Sequence, residues 1–319
     1  MGVLISVENI MPLLILIVIG FVLRRQDIVG DGVGSGISKL LMQVALPAAV
    51  FLAIYRYLRF DIFQGLFTGF ILVALAITIW FAAAYLWCRL ASVRRGRRGV
   101  LLNIFANPNV VFVGMPVCTA LLGDQSVLYF LVFFIWNNIS TWILGECFLL
   151  QDQMEQDRYA NKRRLRVKNF LSPPLLGLIC GSIWIAAGIA LPPLCEKTLS
   201  LLAAMVTPLS LLYIGIILAE SGLKSIRFDG DLAAAVIGRL VAAPLIMYFV
   251  LFFGESLIGP LGRMQFNTYM IMSALPVMAV LPILSNEFHG DTPFATAAVT
   301  VTTVFFLFSL TVVIAFLGL

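Results

Sequence analysis

Two proline-broken stretches hold the residues best able to do chemistry. In NIFANPNVVFVGMPVCTALLG (103–123), Pro108 stands between two amides, Asn107 and Asn109, and Pro116 follows. In MIMSALPVMAVLPILSNEF (270–288), Pro276 precedes Val277 and Pro282 follows. A proline inside a helix has no N–H to give and drives its ring at the carbonyl four residues back. That predicts freed carbonyls at Ile104 and Phe112 in the first stretch, and at Met272 and Met278 in the second. Such groups at membrane depth are tolerated only where protein or a water-filled cavity covers them. Both stretches are therefore expected to be broken helices lining a site. Half-helices restarting after Pro108 and Pro276 would offer unpaired N–H groups and positive dipole ends, each worth about 0.3–2 kcal/mol toward an anion. The chemistry this predicts is the binding of a carboxylate.

Other residues could assist. Asn109 either touches the guest or caps the freed backbone, and Asn107 and Asn103 face the same choice. Asn137 and Asn138 lie inside an apolar run, FIWNNISTWILGE, as interhelical hydrogen-bonding groups or as part of the site. Arg239 is the one basic residue deep in a span, roughly 15 Å from its inner end at helical rise. An intramembrane charge is expensive and suggests function. Arg239 is expected to lend positive field to an anion path, or to pair with Glu146 or Glu220, or to snorkel out. No carboxylate falls near the centre of any span, so neither a proton relay nor a sodium cage is expected. The single histidine, His289, reads as part of a solvated turn. The five cysteines, Cys88, Cys118, Cys147, Cys180 and Cys195, lack metal-ligand spacing and read as small buried apolar residues. No cofactor is expected. Without HExxH or paired intramembrane aspartates, an enzyme has little to work with.

The elements that must position these residues follow from composition. Of 319 residues, 61% are hydrophobic and 12% charged, where a soluble domain carries about 25% charged. The chain is all-α and membrane-integral, with spans expected near 9–23, 37–55, 64–88, 99–122, 126–149, 169–190, 198–219, 230–253, 267–287 and 292–317. No Lys or Arg precedes the first apolar run, so no cleaved signal is expected. With both termini outside, sixteen Lys and Arg fall in inner loops and four in outer ones, as the positive-inside rule requires. The runs RRGRR (94–98) and KRRLR (162–166) either anchor this topology or bind anionic lipid. The positive formal charge of +5 sits between apolar runs and is no nucleic-acid signal.

Landmarks recur. Pro47 matches Pro208 at an offset of 161, Pro108 and Pro116 match Pro276 and Pro282 at 168 and 166, and Gly123-Asp124 matches Gly290-Asp291 at 167. The chain divides into a five-span half at 1–150, a linker at 151–168 and a second half at 169–319. An odd span count per half forces opposite orientations, so the ten helices form two inverted repeats with broken, crossing helices 4 and 9. In such transporters the site lies between the repeats at mid-membrane.

These landmarks resemble the auxin efflux carrier family, within the larger group that holds the bile acid/sodium symporters. VALPAAVF (44–51) is similar to that family's ALPA-x-LF, and Pro108 with Asn109-V-V-F-V-Gly114-M-Pro116 to its PNT-x-x-x-G-x-P. Asn138 with Gly145, SPPLLGLICG (172–181), Pro208-L-S-L-L-Y-I-Gly215 and Arg239-L-V-A-A-Pro244 match later spans in order. The resemblance implies a scaffold of spans 1, 2, 6 and 7 and a transport domain of spans 3–5 and 8–10. It implies a secondary transporter of small organic anions, such as malate, malonate or an auxin-like acid, with a sodium-coupled symporter or a non-transporting receptor as alternatives. Substrate contact is implied for Asn109, with Asn107, Pro108, Pro276, Val277, Asn138 and Arg239 around it. A scaffold homodimer is implied too. The short linker resembles prokaryotic members, which places the chain in a bacterial inner membrane. Val277 and Met278 stand where plant carriers have Gln and Gly, which removes an amide from the expected site.

Overall fold

The computed structural model describes residues 2–58, 63–156, 172–220 and 228–319. Arg59, Arg158, Lys168, Lys224, Arg227 and the run at 162–166, all counted above for orientation, lie outside the described residues. Those described are helical apart from short connections, and six helices among them are long and apolar enough to cross a membrane. They are Val33–Tyr57, Gly65–Leu90, Ser126–Met154, Pro193–Glu220, Gly230–Leu257 and Thr292–Leu317, with two shorter apolar helices at Val110–Leu122 and Pro173–Ala186. The chain is thus a multi-pass membrane protein. Exposed Leu, Ile, Val and Phe side chains cover much of its outside, which in water would be a liability and in lipid is a solvated surface.

In chain order the α-helices are α1 (Gly2–Arg25), α2 (Val33–Leu40), α3 (Leu46–Tyr57), α4 (Phe63–Leu90), α5 (Arg98–Ala106), α6 (Met115–Leu122), α7 (Ser126–Ile139) and α8 (Glu146–Gln156). Then come α9 (Pro173–Ala186), α10 (Pro193–Ala204), α11 (Val206–Glu220), α12 (Gly230–Ile237), α13 (Ala243–Leu257), α14 (Arg263–Ser273), α15 (Leu281–Glu287) and α16 (Thr292–Leu317). Wide π turns at Leu41–Ala45, Val110–Gly114 and Gly238–Ala242 each lead into a helix whose first turn holds a proline: Pro47, Pro116 and Pro244. The extra residue in such a turn relieves the clash between the ring and the preceding carbonyls. The helix therefore runs on through Pro116, contrary to the expectation of a second interruption there. The carbonyl that Pro244 would orphan, on Leu240, accepts a 2.6 Å hydrogen bond from Ser309 Oγ of α16.

Pro282 departs from expectation for a different reason. It lies in the first turn of α15, where a missing N–H costs nothing, and the Met278 carbonyl is not freed but accepts from the Leu281 N–H at 3.2 Å. The cysteines also split: Cys88 and Cys118 are buried, whereas Cys147, Cys180 and Cys195 are exposed. In a bilayer an apolar side chain need not be inside the protein, so apolarity alone does not place a thiol.

Packing is closest where glycine lets backbones touch. A Cβ on Gly20 of α1 would stand 2.2 Å from the Leu212 carbonyl oxygen of α11, and one on Gly215 of α11 would stand 2.0 Å from that of Ile17. Each helix offers its glycine to the other, the small-residue contact that membrane helices use in place of a hydrophobic drive.

Candidate functional site

The helix α5 ends at Ala106, and Asn107 turns extended (φ −113°, ψ 93°) ahead of Pro108. The helix α14 ends at Ser273, and the chain runs through Pro276 and Val277 before α15 begins. The two interruptions meet. Pro108 and Val277 form an antiparallel bridge, the Asn109 N–H donates to the Pro276 carbonyl at 2.8 Å, and the Met278 N–H donates to the Asn107 carbonyl at 3.0 Å. Each break thus satisfies backbone groups left open by the other, the condition for irregular chain at membrane depth. Two N–H groups expected to be bare are used up this way. The amides of Ala279 and Val280, by contrast, find no partner among the described residues.

A cavity of about 290 Å³ opens beside the bridge, where the half-helices restart. Pro108, Asn109, Val111 and Phe112 line it on one side and Met278, Ala279 and Val280 on the other, with Asn137, Asn138, Thr141 and Tyr213 closing it. Asn109 is the N-cap of the turn that follows, and its Oδ1 accepts from the Phe112 N–H at 3.3 Å. With the oxygen spent on the cap, the side chain keeps Nδ2, a pure donor, for a guest. Capping and guest contact, posed above as alternatives, are therefore compatible. Asn138 does the reverse. Its Nδ2 donates to the Phe134 carbonyl at 3.0 Å, which leaves Oδ1. Asn137 Oδ1 is buried without a partner among the described residues.

Asn107 does not line the cavity. It is fully buried, donates through Nδ2 to Asn103 Oδ1 at 2.8 Å and accepts from Ser140 Oγ. Asn103 in turn donates to the carbonyls of Gly99 at 2.8 Å and Gly145 at 3.1 Å. This chain of amides fastens the first break to the wide turn at Ser140–Gly145 between α7 and α8. Only glycine fits at position 145, because a Cβ would come within 2.2 Å of Asn103 Oδ1. Pro276 and Val277 are likewise away from the cavity, and the Val277 N–H donates to Thr302 Oγ1 at 3.2 Å.

Arg239 lies on the opposite flank of the bridge and is fully buried. It pairs with neither Glu146 nor Glu220, and it does not snorkel. Its Nη1 donates to the Phe105 carbonyl at 2.8 Å, its Nη2 to that of Ser273, and its guanidinium lies 4.7 Å from the centre of the Trp80 ring. Glu220 accepts instead from Arg24 at 3.0 Å. Sequence reasoning weighed only charged partners for Arg239, and the freed carbonyls it named before the breaks were those of Ile104 and Met272; the acceptors are the next carbonyls along, of Phe105 and Ser273. Tyr213, Thr141 and Phe112 were missed as lining residues, since nothing in an apolar run marks which face meets a cavity.

At the starts of α5, α12 and α16 the arginine-rich end is tied by ion pairs. Arg97 reaches Asp291 at 2.9 Å, Asp231 at 2.9 Å and Asp229 at 2.5 Å, and Arg94 also pairs with Asp291. Asp229 and Asp291 cap α12 and α16. Burial alone would raise both carboxyls, but their hydrogen bonds to arginine and backbone outweigh it and hold them below the usual carboxylate range.

Comparison with known proteins agrees with a transport role. A family model described as membrane transport protein matches residues 5–314. An uncharacterized transporter of Methanothermobacter thermautotrophicus is 22% identical over 305 residues, 96% of either chain. The uncharacterized transporter YfdV of Escherichia coli K12 is 22% identical over 304 residues, 92% of either chain. With a match over nearly its whole length, the chain belongs to the membrane transport protein family, the family of the auxin efflux carriers, and is a transporter rather than an enzyme.

Proposed function

We propose that the protein carries small organic anions bearing a carboxylate, bound in the cavity beside the Pro108–Val277 bridge. The observation that carries this reading is that both half-helices restart on the same cavity. Their positive ends and the open amides of Ala279 and Val280 supply a field for negative charge, and Asn109 Nδ2 supplies a directed donor. Among the described residues no Lys or Arg lines the cavity, so one delocalised charge on a compact apolar body suits it better than two charges. The volume of about 290 Å³ is ample for an acid of this kind.

The wider arrangement belongs to the same proposal. Ten spans would form two inverted five-helix repeats, with the transport domain sliding against a scaffold that also dimerises. The rings of Phe112 and Tyr213, 4.9 Å apart, and the Thr119–Thr207 hydroxyl pair at 3.2 Å lie where the broken helix meets α11. These contacts would part as the site passes from one side to the other, and the termini would stay outside a bacterial inner membrane.

Uptake of labelled mono- and dicarboxylates into proteoliposomes tests the site. Asn109→Ala should cut uptake at least tenfold, about 1.4 kcal/mol of lost binding, while its elution profile stays that of wild type. Undiminished uptake by this variant would remove Asn109 from the site.

A further inference from the structure

Arg239 stands where a transporter with broken helices would hold a cation. Phe105 and Ser273, its two acceptors, each lie three residues ahead of the proline of their own stretch, Pro108 and Pro276. Both carbonyls belong to the last turn of a half-helix, α5 and α14. Such an end carries about −0.5 elementary charge, so the pair presents close to one full negative charge to a single point. Unwound carbonyls and half-helix C-terminal ends are what coordinate sodium in secondary transporters built this way.

A fully buried guanidinium fills that place, and its remaining face rests on the Trp80 ring. Trp80 is itself fixed by donating Nε1 to the Ala243 carbonyl at 3.1 Å. Among the described residues Arg239 donates only to these two carbonyls; its Nε is buried without an acceptor and no carboxylate is among its partners. An uncompensated buried charge would be costly, so the two helix ends are its counter-charge and it is theirs.

We propose that Arg239 is a built-in substitute for a coupling cation: it neutralises both half-helix C-termini, so the crossing forms and binds its guest without sodium or potassium. This deepens the transporter reading by assigning what does not drive it at this point. The test below needs no substrate, so it can fail while anion transport stands, and the converse holds for Asn109.

The experiment follows thermal unfolding of the purified full-length chain in sodium, potassium and choline chloride at equal ionic strength. The variants are Arg239→Ala, Arg239→Gln and Arg239→Lys. The wild type should unfold at one temperature in all three salts. Arg239→Ala and Arg239→Gln should unfold roughly 8 °C lower in choline and regain at least half of that in sodium, potassium or low-millimolar methylguanidinium, saturably. Arg239→Lys, which keeps a charge, should be nearly indifferent to the salt. Should Arg239→Ala not survive purification, the contrast between Gln and Lys carries the same information. Sodium stabilisation of the wild type over choline would overturn the proposal. So would neutral variants with the same unfolding temperature in every cation, with or without methylguanidinium.

Discussion

Arg97 and Arg239 answer the same problem in two solvents. Arg97, at the arginine-rich end, gathers three carboxylates, Asp229, Asp231 and Asp291, and lies with its guanidinium 4.4 Å from the Phe294 ring centre. Arg239, inside the bundle, takes two backbone carbonyls and the Trp80 ring, and no acid. The difference teaches where each kind of partner can be kept. A carboxylate near water costs little to leave charged between encounters, and several can share one arginine. Within the bilayer an added acid would bring its own desolvation cost, whereas a helix end brings its negative charge already formed. Partial exposure at one site and full burial in packed protein at the other also set how each should respond to salt, pH and mutation.

The largest expected effect comes from disturbing the inner site through its support. Gly145→Ala puts a methyl into Asn103 Oδ1, which cannot move without releasing Asn107. Overpacking of this kind costs about 3 kcal/mol, and the crossing should loosen as a unit. Denaturant unfolding should show that loss together with weaker carboxylate binding. A variant that binds as wild type would uncouple the amide chain from the site.

Next comes Arg97→Ala, which takes this partner from Asp229 and Asp231 and leaves Asp291 with Arg94. Hydrogen bonds to charged groups are worth about 1.5–3 kcal/mol, and partial exposure of Asp229 keeps the expected loss near 2 kcal/mol. The loss should shrink in 1 M salt, because exposed charges are screened over about 3 Å there. The stability difference between wild type and Arg239→Lys should not respond to salt. Equal salt sensitivity at both positions would erase the contrast drawn between them.

Much of this arrangement was legible in the chain, and what was missed has a physical reason. Apolar run lengths placed the helices, and Pro108 and Pro276 marked the two breaks. Those are local properties of a few residues. The wide turns before Pro47, Pro116 and Pro244 were not legible, since a proline in a helix can be met by a break or by one extra residue in the turn. Neighbouring packing decides which. Asn107 and Asn109 are the same residue type two positions apart, yet one is consumed by Asn103 and Ser140 and the other borders the cavity. Asn107 is extended (φ −113°, ψ 93°) whereas Asn109 already bends into the wide turn (φ −78°, ψ 71°), so the two amides do not share a face as i and i+2 of a plain extended chain would, and composition does not record that bend. The partners of Arg239 depend on helices far apart in sequence, and the list of charged residues gave no hint of a backbone acceptor.

The smallest effect, and the one that separates the two arginines most cleanly, is the response to acid. Asp229 and Asp291 have carboxyl pKa values lowered in the folded chain, net of burial, by their hydrogen bonds to Arg97, Arg94 and backbone N–H groups. A depressed carboxyl stabilises fully above its unfolded pKa of about 3.9 and loses that contribution as pH falls through the lower, folded value. The unfolding temperature should therefore show no contribution from these groups changing between pH 8 and 5, and a decline below about pH 4. Asp291→Asn keeps a cap for α16 but surrenders the charge that Arg94 and Arg97 share. It should cost about 1 kcal/mol at neutral pH and flatten the decline in acid. Arg239→Lys, with no carboxylate at its site, should leave the acid limb of the curve unmoved. An acid limb that persists in full in Asp291→Asn and Asp229→Asn would place the titrating groups elsewhere and detach the pH response from the ion pairs of Arg97.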